Sequence, residues 1–291
     1  MLLNKLKFNA KKVDLFIKKY IKSQRKSLLI TPMNYGVLLG GKKIRSSIII
    51  ATGKLYKVNS TQLVNICGAV ECIHSYSLIH DDLPCMDNDK LRRGKPTAHI
   101  KFGESTAVLA GNSLLTLAFE MISDNRFKIK DKQKVLLIKK LAECSGHTGI
   151  AGGQELDLKY EKKRKKFQEI INMQRKKTGK LFSFCCFAPG QIAGRNKNEN
   201  KKLSKIGEDI GLLFQLADDF LDVKGKSKHT GKSVNKDKKK GKSTIINLVG
   251  YKYAYNYAIN LKKKILRNLE KHGKKANDLK DIINFILERN Y

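Results

Sequence analysis

The chain has 291 residues, 41% hydrophobic and 30% charged, with 60 Lys and Arg against 26 Asp and Glu and a formal net charge of +34. That apolar share argues against wholesale disorder, and no run reaches the ~18 uninterrupted apolar residues of a membrane span. The Lys-rich opening carries Asp14 and lacks an apolar signal core. Six cysteines without a CxxC pair suit reduced thiols in a cytoplasm, so a cytoplasmic protein is expected. The cations are 50 Lys and only 10 Arg. Base readers and bidentate phosphate binders rely on the Arg fork, and a compositional drift toward Lys explains the excess at least as well as RNA binding. The acids that remain are therefore the informative residues.

Taken along the chain, helical spacing dominates. Val13, Phe16, Ile17, Tyr20 and Ile21 form one stripe, and Ala254, Ala258, Leu261, Ile265 and Leu269 form another near the C-terminus. Tyr251, Tyr253, Tyr255 and Tyr257 alternate as in a strand, but the longer helical pattern running past them is preferred. Only four prolines occur, and no Asn-Gly or Asp-Gly dipeptide is present, so tight hairpins lack their usual turn chemistry. Breaks are expected at "YGVLLGGKK", "LRRGKPTA", "GIAGG", "CCFAPGQIAG" and the Lys-rich stretch 224–242. No linker or repeat divides the chain. The expectation is an all-α fold, one domain spanning 1–291.

Two acidic clusters stand out. In "DDLPCMD", residues 81–87, Asp81 and Asp87 would point apart on an unbroken helix, but Pro84 disrupts the helical hydrogen bonding between them. A helix end or bulge there can bring Asp87 round toward Asp81 and Asp82. In "QLADDFLDV", Asp218 and Asp222 lie one turn apart with Asp219 beside them, so the three are expected to share a face. Both clusters are embedded in apolar sequence, where carboxylates are paired or metal-bound. Hard oxygen ligands suit Mg²⁺ shared with substrate phosphates. Other motifs fail. An EF-hand beginning at Asp87 would place Arg92 at its Gly position, and "GKSKHTGKS" (225–233) has the wrong spacing for a P-loop.

At these residues the sequence resembles the short-chain trans-polyprenyl diphosphate synthases, most closely the bacterial farnesyl type. "DDLPCMD" followed by "LRRG" is similar to the family's first aspartate-rich motif, and "DDFLD" to its second. "GGKKIR", "ECIHSYSLIHDD", "GGQELDL", "KTG", "LFQLADD", "TGK" and "GKST" follow in family order. The resemblance implies an isoprenoid synthase fold, a helical bundle around a central cavity, commonly homodimeric. It implies a Mg²⁺-dependent prenyltransferase, with up to three ions and Mn²⁺ as an alternative. That enzyme joins dimethylallyl or geranyl diphosphate head-to-tail to isopentenyl diphosphate through an allylic carbocation. Asp81, Asp82, Asp87, Asp218, Asp219 and Asp222 are implied metal ligands. Asp81, Asp82, Asp87, Lys177 and Asp218 are the implied catalytic set.

For the allylic diphosphate the resemblance implies Arg92, Lys177, Thr178, Gln215, Lys232 and Lys242; for isopentenyl diphosphate, Lys42, Arg45, His74 and Arg93. It places Tyr76 and Ser77 at the floor of the hydrocarbon pocket, where an aromatic Tyr76, roughly 7.5 Å before Asp81 along the axis, stops growth at fifteen carbons. Geranyl or geranylgeranyl diphosphate synthesis, or a non-catalytic RNA- or membrane-binding relative, are the rival readings. Ser46 departs from the family, which usually carries Pro there.

Overall fold

The computed structural model describes residues 2–224 and 244–288. Lys232, Lys242 and the loop lysines between them lie outside the described residues. The fold is all-α, as expected. Helix α1 (Leu2–Lys22) buries Leu6, Val13, Ile17, Tyr20 and Ile21 and turns its lysines outward. After α2 (Ile30–Val37), the Gly40-Gly41 loop leads into α3 (Ile44–Leu55). Helix α4 (Ser60–Asp81) is buried nearly all round, which is why its sequence reads as almost continuously apolar. The Asn59 side chain caps its start by accepting from the Thr61 N–H at 2.8 Å.

Pro84 sets the end of α4. Having no N–H, it cannot extend the ladder, and the Leu83 N–H closes the last turn onto the His80 carbonyl at 3.1 Å. The chain then forms a small ribbon, β1 (Leu91–Arg92) against β2 (Lys95–Pro96), with Arg92 opposite Lys95. This hairpin was not expected. Its two-residue turn is Arg93-Gly94, both at positive φ (53° and 74°), so Arg-Gly does the work usually given to Asn-Gly.

Helices α5 (Ala98–Phe102) and α6 (Glu104–Ser123) follow, and α6 packs along α4. Among the described residues α6 is the one helix long and apolar enough to cross a membrane, yet its Ala107, Ala110, Leu114, Leu117 and Met121 face the core. Next come α7 (Asp131–Ser145), α8 (Ile150–Tyr160) and α9 (Phe167–Gln174). A single π-helical turn, Arg175–Gly179, joins α9 to α10 (Lys180–Ile192).

The break expected at "CCFAPGQIAG" comes only at its end, where the helix stops at Ile192 and Gly194 turns to positive φ (67°). Helix α10 runs through Pro189, which sits in the last turn, where few bonds are left to lose. Helix α11 (Lys197–Lys224) packs along α10. The chain ends with α12 (Ile245–Val249), α13 (Tyr251–Leu269), a 3₁₀ segment (Glu270–Ala276) and α14 (Asn277–Glu288). The alternating tyrosines lie on α13, and Tyr251 and Tyr255, one turn apart, stack at 6.1 Å and cover Phe220.

Candidate functional site

The end of α4, the hairpin, the π-turn and the last turns of α11 supply the charged residues singled out in the sequence. The turn after α4 folds back on itself. The Asp87 N–H donates to the Asp81 carbonyl at 2.8 Å and the Asp89 N–H to the Asp82 carbonyl at 3.1 Å. Asp87 thus comes round toward Asp81. Burial pushes the Asp81 carboxyl up to about 6; Asp87 and Asp82 add to the rise, while Lys177 and Arg92 oppose it. Lys177 comes from the π-turn, so its field at Asp81 brings that turn and the end of α4 to one site.

Asp82 is buried and accepts a fork from Arg92, Nε to Oδ2 at 2.7 Å and Nη2 to Oδ1 at 2.5 Å. The next residue, Arg93, points the other way along the ribbon and donates to the Gly40 carbonyl. Gly41 (φ 110°) lies under the same guanidinium, where a Cβ would meet it at 2.6–2.8 Å. Both glycines of "GGKKIR" hold positive φ, Gly40 at 94° and Gly41 at 110°, which a side chain would strain.

On α3, Arg45 donates through Nη1 to His74 Nε2 at 3.2 Å and stacks on Phe182 and Phe214, at 4.8 and 5.8 Å. Burial, then Arg45 and Arg93, hold His74 well below the usual imidazole range. A neutral ring facing an Arg donor must accept at Nε2 and carry its proton on Nδ1. Burial lowers the Arg45 pKa too, countered by Glu71 and Asp218 among others. Asp218 on α11 thus reaches electrostatically to the same neighbourhood. Lys42 places its ammonium over the Phe285 ring at 5.4 Å. Ser46, the departure from the family's Pro, donates to buried Glu71 at 2.6 Å, and buried Lys43 pairs with Asp14 at 3.1 Å.

The second cluster divides. Asp218 and Asp222 are half-buried, whereas Asp219 is buried. Asp219 accepts from Gln215 at 3.0 Å and from Gln174 of α9 at 3.1 Å. Asp219 is thus held by one amide from its own helix and one from the end of α9. The Thr178 hydroxyl donates to Gln215 at 3.0 Å, extending the chain of bonds into the π-turn. Tyr76 is buried, with its ring edge-on to His80 at 5.6 Å and its hydroxyl donating to the Ser145 carbonyl at 3.4 Å. Ser77 donates to the His74 carbonyl at 2.9 Å.

Sequence reasoning missed Asp157, which accepts from Lys177 Nζ at 2.5 Å, and Gln174. Asp157 lies in "GGQELDL", already part of the family resemblance, and that was the available signal. It also missed the π-turn, a device common at functional sites. Gly153 of α8 packs against this turn so tightly that a Cβ would land on the Lys177 backbone.

Among the described residues no three His, Cys, Asp or Glu side chains form a ready-made ion site. Mg²⁺ characteristically takes one or two protein carboxylates and completes its shell with phosphate and water. The donor set fits that mode. Asp81 is half-buried, its ionised form is held at a cost, and a divalent cation would relieve it. Both oxygens of Asp82 and of Asp219 already accept hydrogen bonds, so a metal contact from either would share an oxygen with those donors. Gln154, buried one turn before Asp157, has no partner for either amide atom among the described residues, leaving polar capacity for a ligand.

The polyprenyl synthetase profile matches residues 26–286. The chain belongs to that family. A farnesyl diphosphate synthase of Escherichia coli (strain K12) is 40% identical over 267 residues, covering 90% of this chain and 89% of that one. An FPP/GFPP synthase from Zymomonas mobilis, an apo crystal structure, superposes with a TM-score of 0.88 at 34% identity, covering 98% of each chain. A Helicobacter pylori geranyltransferase complexed with magnesium and isoprenyl diphosphate gives 0.82 at 33% identity, covering 99% of this chain and 96% of that one.

Proposed function

We propose that this polyprenyl synthetase condenses an allylic diphosphate, dimethylallyl or geranyl, with isopentenyl diphosphate to give farnesyl diphosphate and pyrophosphate. The observation that carries the reading is the half-buried Asp81 carboxyl, facing Asp87 across a folded-back turn and Lys177 from the π-turn, in a chain 40% identical to a farnesyl diphosphate synthase. Asp81, Asp87, Asp218 and Asp222 would hold the metal, with Asp82 and Asp219 contributing through shared oxygens. Bound Mg²⁺, up to three ions with Mn²⁺ able to substitute, would supply positive charge against the departing pyrophosphate.

The protein's own groups do the rest. Arg92, oriented by its fork to Asp82, and Lys177, oriented by Asp157, present fixed cations to the allylic diphosphate; Thr178 and Gln215 add hydrogen bonds. Lys232 and Lys242 are further contacts by the resemblance. Lys42, Arg45, Arg93 and the neutral His74 face the second diphosphate. Binding both substrates together places the isopentenyl double bond against the developing allylic cation, so that positioning supplies much of the rate. The resulting cation loses its proton to the pyrophosphate.

Tyr76, five residues before Asp81, closes the hydrocarbon pocket and supports a fifteen-carbon product. The exposed apolar residues Leu109 on α6 and Val135 on α7, at 51% and 63%, support pairing as a homodimer, and reduced buried cysteines support a cytoplasmic location. The test is incubation with labelled isopentenyl diphosphate, each allylic partner and Mg²⁺, followed by chain-length analysis. Fifteen-carbon product, abolished by EDTA, is expected. Mg²⁺-independent turnover, or no condensation with either partner, overturns the reading; a longer product moves the chain to another branch of its family.

A further inference from the structure

The outward face of α1 is not used by the site. Seven lysines (5, 7, 11, 12, 18, 19 and 22) lie on this one helix, and its single acid, Asp14, is held by Lys43 at 3.1 Å. Two large apolar side chains stand out among them, Phe8 at 69% exposure and Leu15 at 59%, two turns apart on one face. The loop beyond α1 continues the pattern, with exposed Arg25 and Lys26 beside Leu28 at 96%. Apolar grooves flank α1 on both sides, one of about 440 Å³ lined by Leu6, Ile50 and Leu63, the other of about 760 Å³ lined by Leu3, Leu15 and Leu38.

Lysine drift would add charge anywhere on the surface. It does not account for Phe8 and Leu15 exposed on one face of α1, nor for Leu28 exposed in the loop beyond. That combination, apolar groups to insert and long cationic side chains to snorkel on either side, is the signature of a helix lying in a membrane interface. Nucleic acid would match the charge but leave the three apolar side chains without a role. Part of the charge is already used, since Lys5 pairs with Asp278 at 2.8 Å; Lys7, Lys11, Lys18, Lys19 and Lys22 remain exposed.

We propose that this face docks on the surface of an anionic lipid bilayer, with Phe8, Leu15 and Leu28 entering the headgroup layer and the α1 lysines meeting lipid phosphates. The contact is peripheral. Its groove on the Leu38 side also includes Gly41 and Lys42, so docking would set the isopentenyl-side loop near the membrane.

The experiment is co-sedimentation of the full chain with vesicles of phosphatidylcholine alone and with phosphatidylglycerol added to about 30%, at about 0.1 and 0.5 M salt. Binding to the anionic vesicles that falls at high salt is expected. The double variant Phe8→Glu/Leu15→Glu should bind them at least about tenfold more weakly, with an unchanged helical circular dichroism spectrum and condensation rate. Variant binding equal to wild type, or no preference for anionic lipid, overturns the proposal. So does retention on single-stranded RNA with no vesicle binding, which gives the lysines to nucleic acid, or conversion of a dimer to a monomer by the variant, which gives the face to a second copy. Vesicle binding uses no substrate, so it fails or succeeds independently of the prenyltransfer reading.

Discussion

Asp81→Asn should stabilise the metal-free protein while removing its activity. Burial, with Asp87 and Asp82, raises the Asp81 carboxyl to about 6 from an ordinary 3.8. A rise of about two units is worth about 3 kcal/mol at full strength, and partial solvent screening brings it to roughly 1–3 kcal/mol. The sign follows from proton counting. Between 3.8 and about 6 the folded chain holds a proton that the unfolded chain has released, so stability falls as pH rises through this window. The penalty is fully present above about pH 6 and absent well below 3.8. Asparagine keeps the shape and removes the charge. At about 2–4 °C per kcal/mol for a chain of this size, the variant should melt roughly 2–12 °C higher in EDTA at about pH 7.5. The gap should narrow at about pH 4.5. Circular dichroism melts would read it. Mg²⁺ with inorganic pyrophosphate should raise the wild-type melting temperature and leave the variant's little changed. A variant that melts lower than wild type at neutral pH in EDTA, by the same margin at acid pH, would refute a functionally strained carboxylate.

Three further outcomes are expected. Tyr76→Ala should shift the product toward chains longer than fifteen carbons, read by chromatography, and should cost about 3–5 kcal/mol as a buried aromatic lost, read by denaturant unfolding. Arg92→Lys should lower kcat/KM for the allylic substrate about 10–100-fold with little change for isopentenyl diphosphate, because one ammonium cannot span both oxygens of Asp82. Gly153→Ala should destabilise the protein by about 1–3 kcal/mol and slow turnover, since the added methyl displaces the Lys177 backbone; unchanged unfolding and rate would show that the contact yields freely.

Much of this was legible in the sequence because helices declare themselves by period. The stripes at Val13–Ile21 and Ala254–Leu269 are buried as read, Phe16 being half-buried, and the tyrosine alternation on α13 was correctly subordinated to the longer pattern. The return of Asp87 toward Asp81 followed from Pro84 alone. What stayed hidden depends on backbone choices that composition does not encode. Arg93 accepts positive φ in a two-residue turn because Gly94 follows it and both neighbouring arginines gain partners, in Asp82 and the Gly40 carbonyl. Pro189 is tolerated because it falls in a final turn. Gln174, forty-five positions before Asp219, donates to one of its oxygens, a long-range pairing that no local spacing reveals.

The widened turn at Arg175–Gly179 ties this region's tolerance of length change to its chemistry. A π-turn accommodates one more residue than the α-helix would, so α9 and α10 amount to a single rod with a phase slip of about 100° between its halves. Deleting any one residue of the five would straighten the rod and swing one half away from its buried stripe, or else carry Lys177 and Thr178 off their present headings. A shortened chain cannot be absorbed here. Viable descendants of this sequence should therefore keep the count across 175–179, along with Lys177 and Thr178.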